Sequence, residues 1–200
     1  MQIFFDLFQQ LGALQIFAFL FALAYIFFAA QNSILCWIFG ICSSGLWAYE
    51  TWVVYGLLYD SLLNVFYVIM GIVGWLNWAR RTRDGKPSRP TQLSGKYHVG
   101  IFFAGSLLSI ISALLAQQYT AASLPFIDAP TTIFSIIATF LLIKKDMINW
   151  IYWIFVDAVY VGIYLQKGAF LFSFLFLIYT LMAMAGWFKW RKLYRQDSHY

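Results

Sequence analysis

Apolar residues fill this chain in long uninterrupted blocks, separated by short polar breaks instead of alternating with polar positions. Seven blocks can be delimited, over residues 11–31, 34–55, 58–79, 98–117, 124–143, 148–166 and 168–190. A bilayer-spanning helix needs roughly 20 apolar residues, so each block predicts a transmembrane helix. The breaks after the second and sixth blocks are so short that each must turn a tight helical hairpin. One long polar segment, RRTRDGKPSRPTQLSGK from Arg80 to Lys96, holds two prolines and two glycines that interrupt helix and divides the chain after three spans.

Composition makes the bilayer obligatory. Of 200 residues, 62% are hydrophobic and only 10% charged, whereas soluble domains carry about 25% charged residues. The expected class is an all-α integral membrane protein without a separate soluble domain. No GxxxxGK[ST] phosphate loop is present, so the chain does not hydrolyse ATP by itself. His98 and His199 are its only histidines, there is no HExxH or GxSxG motif, and a catalytic metal, a cofactor and enzymatic residues are not expected. The net charge of +5 is confined to a few loops, which suits anionic membrane lipid and not nucleic acid. Cys36 and Cys42, six positions apart, fit neither a CxxC pair nor zinc spacing and read as small packing residues.

The basic residues set the expected topology. Arg80, Arg81, Arg83, Lys86, Arg89 and Lys96 follow the third span, Lys144 and Lys145 the fifth, and Lys189, Arg191, Lys192 and Arg195 end the seventh. All follow odd-numbered spans, which puts them in the cytoplasm with the C-terminus and leaves the N-terminus outside. Lys167 is the exception. Asp6, Glu50 and Asp60 fall at the outer face. The first block lacks a basic leader and is expected to be retained as a helix.

Self-comparison reveals an ordered repeat at an offset of 112 to 113 residues. Gly74, Trp75 and Trp78 match Gly186, Trp187 and Trp190; Gly56 and Tyr67 match Gly168 and Tyr179; Trp37, Ser44 and Gln15 match Trp150, Asp157 and Asp128. The expected architecture is therefore 3+1+3, with a first three-helix repeat over 1–79, a basic cytoplasmic linker over 80–97, a linker helix over 98–117, a second repeat over 118–190 and a basic tail over 191–200. An odd number of crossings per repeat plus one linking span makes the repeats parallel, related by a pseudo-two-fold axis along the membrane normal, with a substrate site expected between the halves.

Trp150, Trp153 and Asp157 in WIYWIFVD stand at i, i+3 and i+7 and fall within about 60° of one another on one helix face. A mid-span carboxylate costs roughly 2.5 to 3.5 kcal/mol on insertion scales and calls for a cation, a donor or a water-filled cavity. Indole faces attract cations and stack on planar rings, so the natural ligand is a small cationic heteroaromatic. Asp128, Thr131 and Thr132, between and after Pro125 and Pro130, form a candidate outer polar lining, and Asn64 and Tyr67 a candidate lining from the first half. Trp75, Trp78, Trp187 and Trp190, each beside basic residues, read as an interfacial belt.

At WIYWIFVD the sequence resembles the PnuC family of bacterial vitamin transporters, whose nicotinamide riboside members carry WxxWxxxN or WxxWxxxD in the sixth span. The likeness continues in PFIDA, in the GW-containing end of the third span and in the 3+1+3 layout, over roughly 11–192. It implies a fold similar to the SWEET sugar transporters, a bacterial inner-membrane location, uptake of nicotinamide riboside by facilitated diffusion with alternating access, and trapping by a cytoplasmic substrate kinase. On that reading Trp150 and Trp153 contact the nicotinamide ring and Asp157 the ribose or the charge. Gln15 and Asn64 replace the Glu and Gln common in the family, which leaves thiamine or another vitamin as an alternative substrate. A non-transporting membrane scaffold is the alternative from another class, and homo-oligomers are compatible with either.

Overall fold

The computed structural model describes residues 12–54, 56, 58–82, 89–120, 124–166, 168 and 170–196, and Asp6, Arg83, Lys86, Lys167 and His199 lie outside them. Among the described residues the apolar blocks form seven helices: α1 (Ala13–Ala30), α2 (Leu35–Val53), α3 (Leu58–Thr82), α4 (Gly95–Tyr119), α5 (Pro125–Ile143), α6 (Asn149–Gln166) and α7 (Phe170–Arg195). α3, α4 and α7 run past the expected apolar limits and carry basic residues such as Arg80, Lys96 and Arg191 as helix.

Polarity is inverted relative to a soluble bundle. Phe103, Leu107, Phe170 and Phe188 are more than 60% exposed, whereas Ser43, Glu50, Ser109, Thr139 and Asp157 are buried. Only a hydrocarbon solvent makes that arrangement stable. Many of the inward hydroxyls bond backbone carbonyls, as Thr139 does to Ser135 and Thr180 to Phe176, which satisfies them without water. Five helices, α1, α3, α4, α5 and α7, are long and apolar enough to cross a membrane by length and mean hydropathy. α2 and α6 have 19 and 18 residues but fall short in mean hydropathy because each carries a stripe of Trp, Tyr, Ser or Asp on its inward face.

α1 packs on α2 and α2 on α3, while α5 packs on α6 and α6 on α7; the two triplets meet through α1 with α7 and α3 with α5, and α4 lies against α5. Local geometry recurs between the triplets. The amide nitrogens of Gln31, Asn32 and Ser33 bond the carbonyls of Phe27, Ala29 and Phe28, and those of Lys144, Lys145 and Asp146 bond Phe140, Leu142 and Leu141, each 113 positions on. Asn32 and Lys145 take left-handed backbone (φ 55° and 60°), as do Gly56 and Gly168 (φ 65° and 69°). The Ser33 and Asp146 side chains then accept from the amides of Leu35 and Ile148. Farther along, Ser61 donates to Ala48 O and Ser173 to Val161 O.

Four tryptophans lock the triplets together. Trp78 donates its indole N–H to Ile143 O at the end of α5, and Trp190 donates to Ala29 O at the end of α1, both at 3.1 Å. Trp37 meets Trp78 edge to face, Trp150 meets Trp190 likewise, and Trp78 and Trp190 touch at 6.1 Å between centroids. Glycine is required opposite the two inner rings, because a Cβ at Gly74 would sit 2.5 Å from Trp37 and one at Gly186 2.8 Å from Trp150. Trp78 and Trp190 are thus fully buried, contrary to the belt expected from their basic neighbours, because each ring packs in the tryptophan cluster and its N–H finds an inward helix-end carbonyl as acceptor. Trp75 is 44% exposed and faces outward. Cys36 is buried as expected, but Cys42 is exposed, since its helix turns that face away from α1 and α3.

The basic loops gather at one end of the bundle. Arg81 donates to Lys144 O, Lys144 Nζ to the Tyr97 hydroxyl, and Thr91 exchanges backbone hydrogen bonds with Lys145 and Met147. The fully buried Asp146 accepts from the Leu93 amide and pairs with His98 Nε2 at 3.2 Å, tying the start of α4 to the α5–α6 turn.

Candidate substrate site

α2 and α6 present matching stripes. Trp37, Gly40, Ser44 and Trp47 on α2 and Trp150, Trp153, Asp157 and Tyr160 on α6 are spaced 3, 4 and 3 residues apart, so each set lies along one helix face. Both stripes face a cavity of about 390 Å³, within the range of small-ligand sites. α1 adds Tyr25 and Ala29, α3 adds Asn64 and Tyr67, α5 adds Thr132, Ser135 and Thr139, and α7 adds Phe176 and Tyr179. α4 contributes nothing to the wall.

Asp157 is the charged group of this wall, 4% exposed and near the middle of α6. Among the described residues it has neither a hydrogen-bond donor nor a cation. The phenols of Tyr25, Tyr67, Tyr160 and Tyr179 lie within electrostatic range of it. Tyr67 shares a hydrogen bond with Ser135 at 2.8 Å. Desolvating a carboxylate costs several kcal/mol unless an opposite charge compensates. The wall around Asp157 is aromatic on both sides, so the compensating group it suits is a flat cation, held by Coulomb attraction and by ring faces.

Of the residues singled out from sequence, Trp150, Trp153, Asp157, Thr132, Asn64 and Tyr67 line the cavity. Trp150 is 1% exposed and pinned against Gly186, so it forms the floor, whereas Trp153 is only partly buried. Asn64 spends its amide on Asp60 O and keeps its oxygen toward other partners. Asp128 and Thr131 are not on the wall. Asp128 is exposed in the first turn of α5. Thr131 is buried behind the wall, its hydroxyl donating to Ile127 O and Asp128 O, because the α5 face that carries Ser135 and Thr139 points inward one turn further on. Tyr25, Trp47, Tyr160, Phe176 and Tyr179 were missed. The repeat offset maps Asn64 onto Phe176 and Tyr67 onto Tyr179, and the 3, 4, 3 spacing extends the α6 stripe to Tyr160 and its α2 counterpart to Trp47, signals that could have found these four but not Tyr25.

The nicotinamide mononucleotide transporter family matches residues 12–192 of this chain. Among curated proteins, the nicotinamide riboside transporters PnuC of Escherichia coli (strain K12) and of Shigella flexneri are each 26% identical, over 66% of this chain and 66% of their own length. PnuC of Neisseria mucosa is 22% identical over 86% of this chain and 69% of that protein. The alignment thus spans just under two thirds of the first two relatives. A crystal structure of the vitamin B3 transporter PnuC superposes with a TM-score of 0.76 at 21% identity, covering 98% of this chain and 87% of that one, which establishes the same all-helical fold. The chain is a multi-pass membrane protein that belongs to the nicotinamide mononucleotide transporter family.

Proposed function

We propose that the protein carries nicotinamide riboside across the bacterial inner membrane by facilitated diffusion. The observation that carries the reading is Asp157, a buried carboxylate without a compensating partner among the described residues, in an aromatic cavity. A permanently charged pyridinium riboside supplies what that wall lacks. Its ring stacks on Trp153 above the Trp150 floor, its charge offsets Asp157, and Asn64, Tyr67 and Thr132 offer polar atoms to the ribose and carboxamide. Asp128 and Thr131 contribute by shaping the outer end of α5, where the Thr131 hydroxyl bonds the Ile127 and Asp128 carbonyls, and not by contact. That the similar proteins of Escherichia coli and Neisseria mucosa are nicotinamide riboside transporters supports the substrate.

The recurrence of turns and hydrogen bonds at 112 to 113 residues supports a SWEET-like arrangement of two parallel three-helix repeats, 1–79 and 118–190, joined by linker 80–97 and linker helix 98–117 and followed by tail 191–200. Six helices of those triplets line one central cavity, the geometry that alternating access needs, since rocking one triplet against the other exposes the site to either side. The shared basic end faces the cytoplasm on charge grounds, with the N-terminus outside. No reaction is required of any residue, and the energy comes from the substrate gradient. A cytoplasmic kinase acting on the imported riboside would maintain that gradient.

Calorimetric titration of the purified protein tests the substrate. Nicotinamide riboside should bind saturably, and thiamine, also a flat cation, should compete at least about tenfold more weakly. Tighter binding of thiamine would assign the chain to that vitamin instead.

A further inference from the structure

The two halves of the cavity wall differ by a compensated exchange. At the offset of 113, Gly40 corresponds to Trp153 and Tyr25 to Ala138. The offset holds on either side of Gly40 and within one turn of Tyr25, since the bonds at Phe28 and Leu141 and at Ala48 and Val161 both obey it. In the second triplet the aromatic stands on the middle helix and the small residue, a fully buried alanine, on the first. In the first triplet the order is reversed. The Tyr25 ring lies flat over Gly40, where a Cβ would sit 2.9 Å from ring carbon Cδ2. Interiors packed at that density leave no room for any side chain at position 40 while the ring is there. Tyr25 faces the cavity, and its hydroxyl has no hydrogen-bond partner among the described residues. The neighbouring phenol of Tyr67 is already committed to Ser135.

We propose that Tyr25 is the substrate-positioning residue of the first half, its ring forming the wall that Trp153 forms in the second half and its hydroxyl donating to an oxygen of the bound riboside. The inference rests on the nicotinamide riboside reading above and adds its orientation. A cavity with equivalent walls would accept a flat ligand in two poses related by the pseudo-two-fold axis. Here the Asp157 carboxylate and the Trp153 indole belong to one half, where the other has Ser44 and Gly40, and the Tyr25 phenol and the Asn64 side chain belong to the other, where the second has Ala138 and Phe176, so one pose satisfies both. Gly40 is the residue that admits the phenol ring.

Tyr25→Phe keeps the ring and removes the hydroxyl. It should weaken nicotinamide riboside binding roughly three- to tenfold, the value of one hydrogen bond, with an unchanged melting temperature. Tyr25→Ala should weaken it by more than about tenfold. Gly40→Trp alone should fail to give stable protein, and Tyr25→Ala combined with Gly40→Trp should restore stability by copying the second half. If wild-type protein binds the riboside and both Tyr25 variants bind within about twofold of it, the inference is overturned and the functional reading stands. If wild-type protein binds no riboside, the functional reading falls and the inference with it.

Discussion

Lys145 donates its Nζ to Asn32 Oδ1 at 2.7 Å, and the two residues are counterparts, 113 positions apart and both in left-handed backbone. The same ammonium stands 3.7 Å from the ring of Trp78, whose N–H caps α5, so one side chain joins the ends of α1, α3 and α5. This seam closes the basic end of the bundle beyond the cavity floor of Trp37 and Trp150.

Burial lowers the Lys145 ammonium from its ordinary value of 10.5 to about 7, with the Arg81 charge lowering it further against an opposing contribution from Cys36. Between about pH 7 and 10.5 the folded protein therefore binds fewer protons than the unfolded chain, and this residue's contribution to stability rises with pH across that window. Below about 7 the contribution is constant and unfavourable. Thermal unfolding in detergent from pH 6.5 to 10 should show a steeper upward slope for the wild type than for Lys145→Met. Parallel slopes would mean that Lys145 titrates as an exposed lysine.

The glycines under the tryptophans give a paired test of the interlock. Gly74→Ala and Gly186→Ala each drive a methyl into an indole with no room to move, at a cost of about 1–3 kcal/mol. Gly100→Ala and Gly162→Ala meet open space and should be neutral or slightly stabilising, since alanine is the better helix former. Chemical denaturation of the four variants measures the difference, and equal effects in all four would contradict the packing described.

Asp157→Asn separates binding from folding. Removing an uncompensated buried charge should raise the melting temperature of ligand-free protein, while riboside affinity falls at least about 30-fold because the cation loses its partner. Asp128→Asn, on an exposed first turn off the wall, should leave affinity within about twofold. A lowered melting temperature in Asp157→Asn would show that the carboxylate holds the bundle together instead.

Much of this was legible in the chain itself. Apolar blocks locate the helices because lipid solvation is read directly from composition, and the basic loops following odd spans correspond to the ends that meet around Lys144 and Arg81. The WxxWxxxD stripe is visible because 3.6-residue periodicity places those residues on one face. Trp78 and Trp190 were not legible, since an interfacial and a buried tryptophan beside a basic run look alike until the carbonyls of Ile143 and Ala29 are seen to receive their N–H groups inside the bundle. Asp128 misled for a related reason, because a carboxylate near prolines does not reveal which way its helix is rotated. Tyr25 was hidden because its pairing with Gly40 crosses from one helix to the next, and no spacing within a single helix records it.

The most direct measurement is influx of labelled nicotinamide riboside into proteoliposomes without ATP or an imposed ion gradient. Wild-type protein should give saturable, downhill entry that stops when internal and external concentrations are equal, and Asp157→Ala protein reconstituted at the same level should give only the leak of empty vesicles. Absence of wild-type flux, or equal flux in the Asp157→Ala vesicles, would contradict a carrier built around that carboxylate.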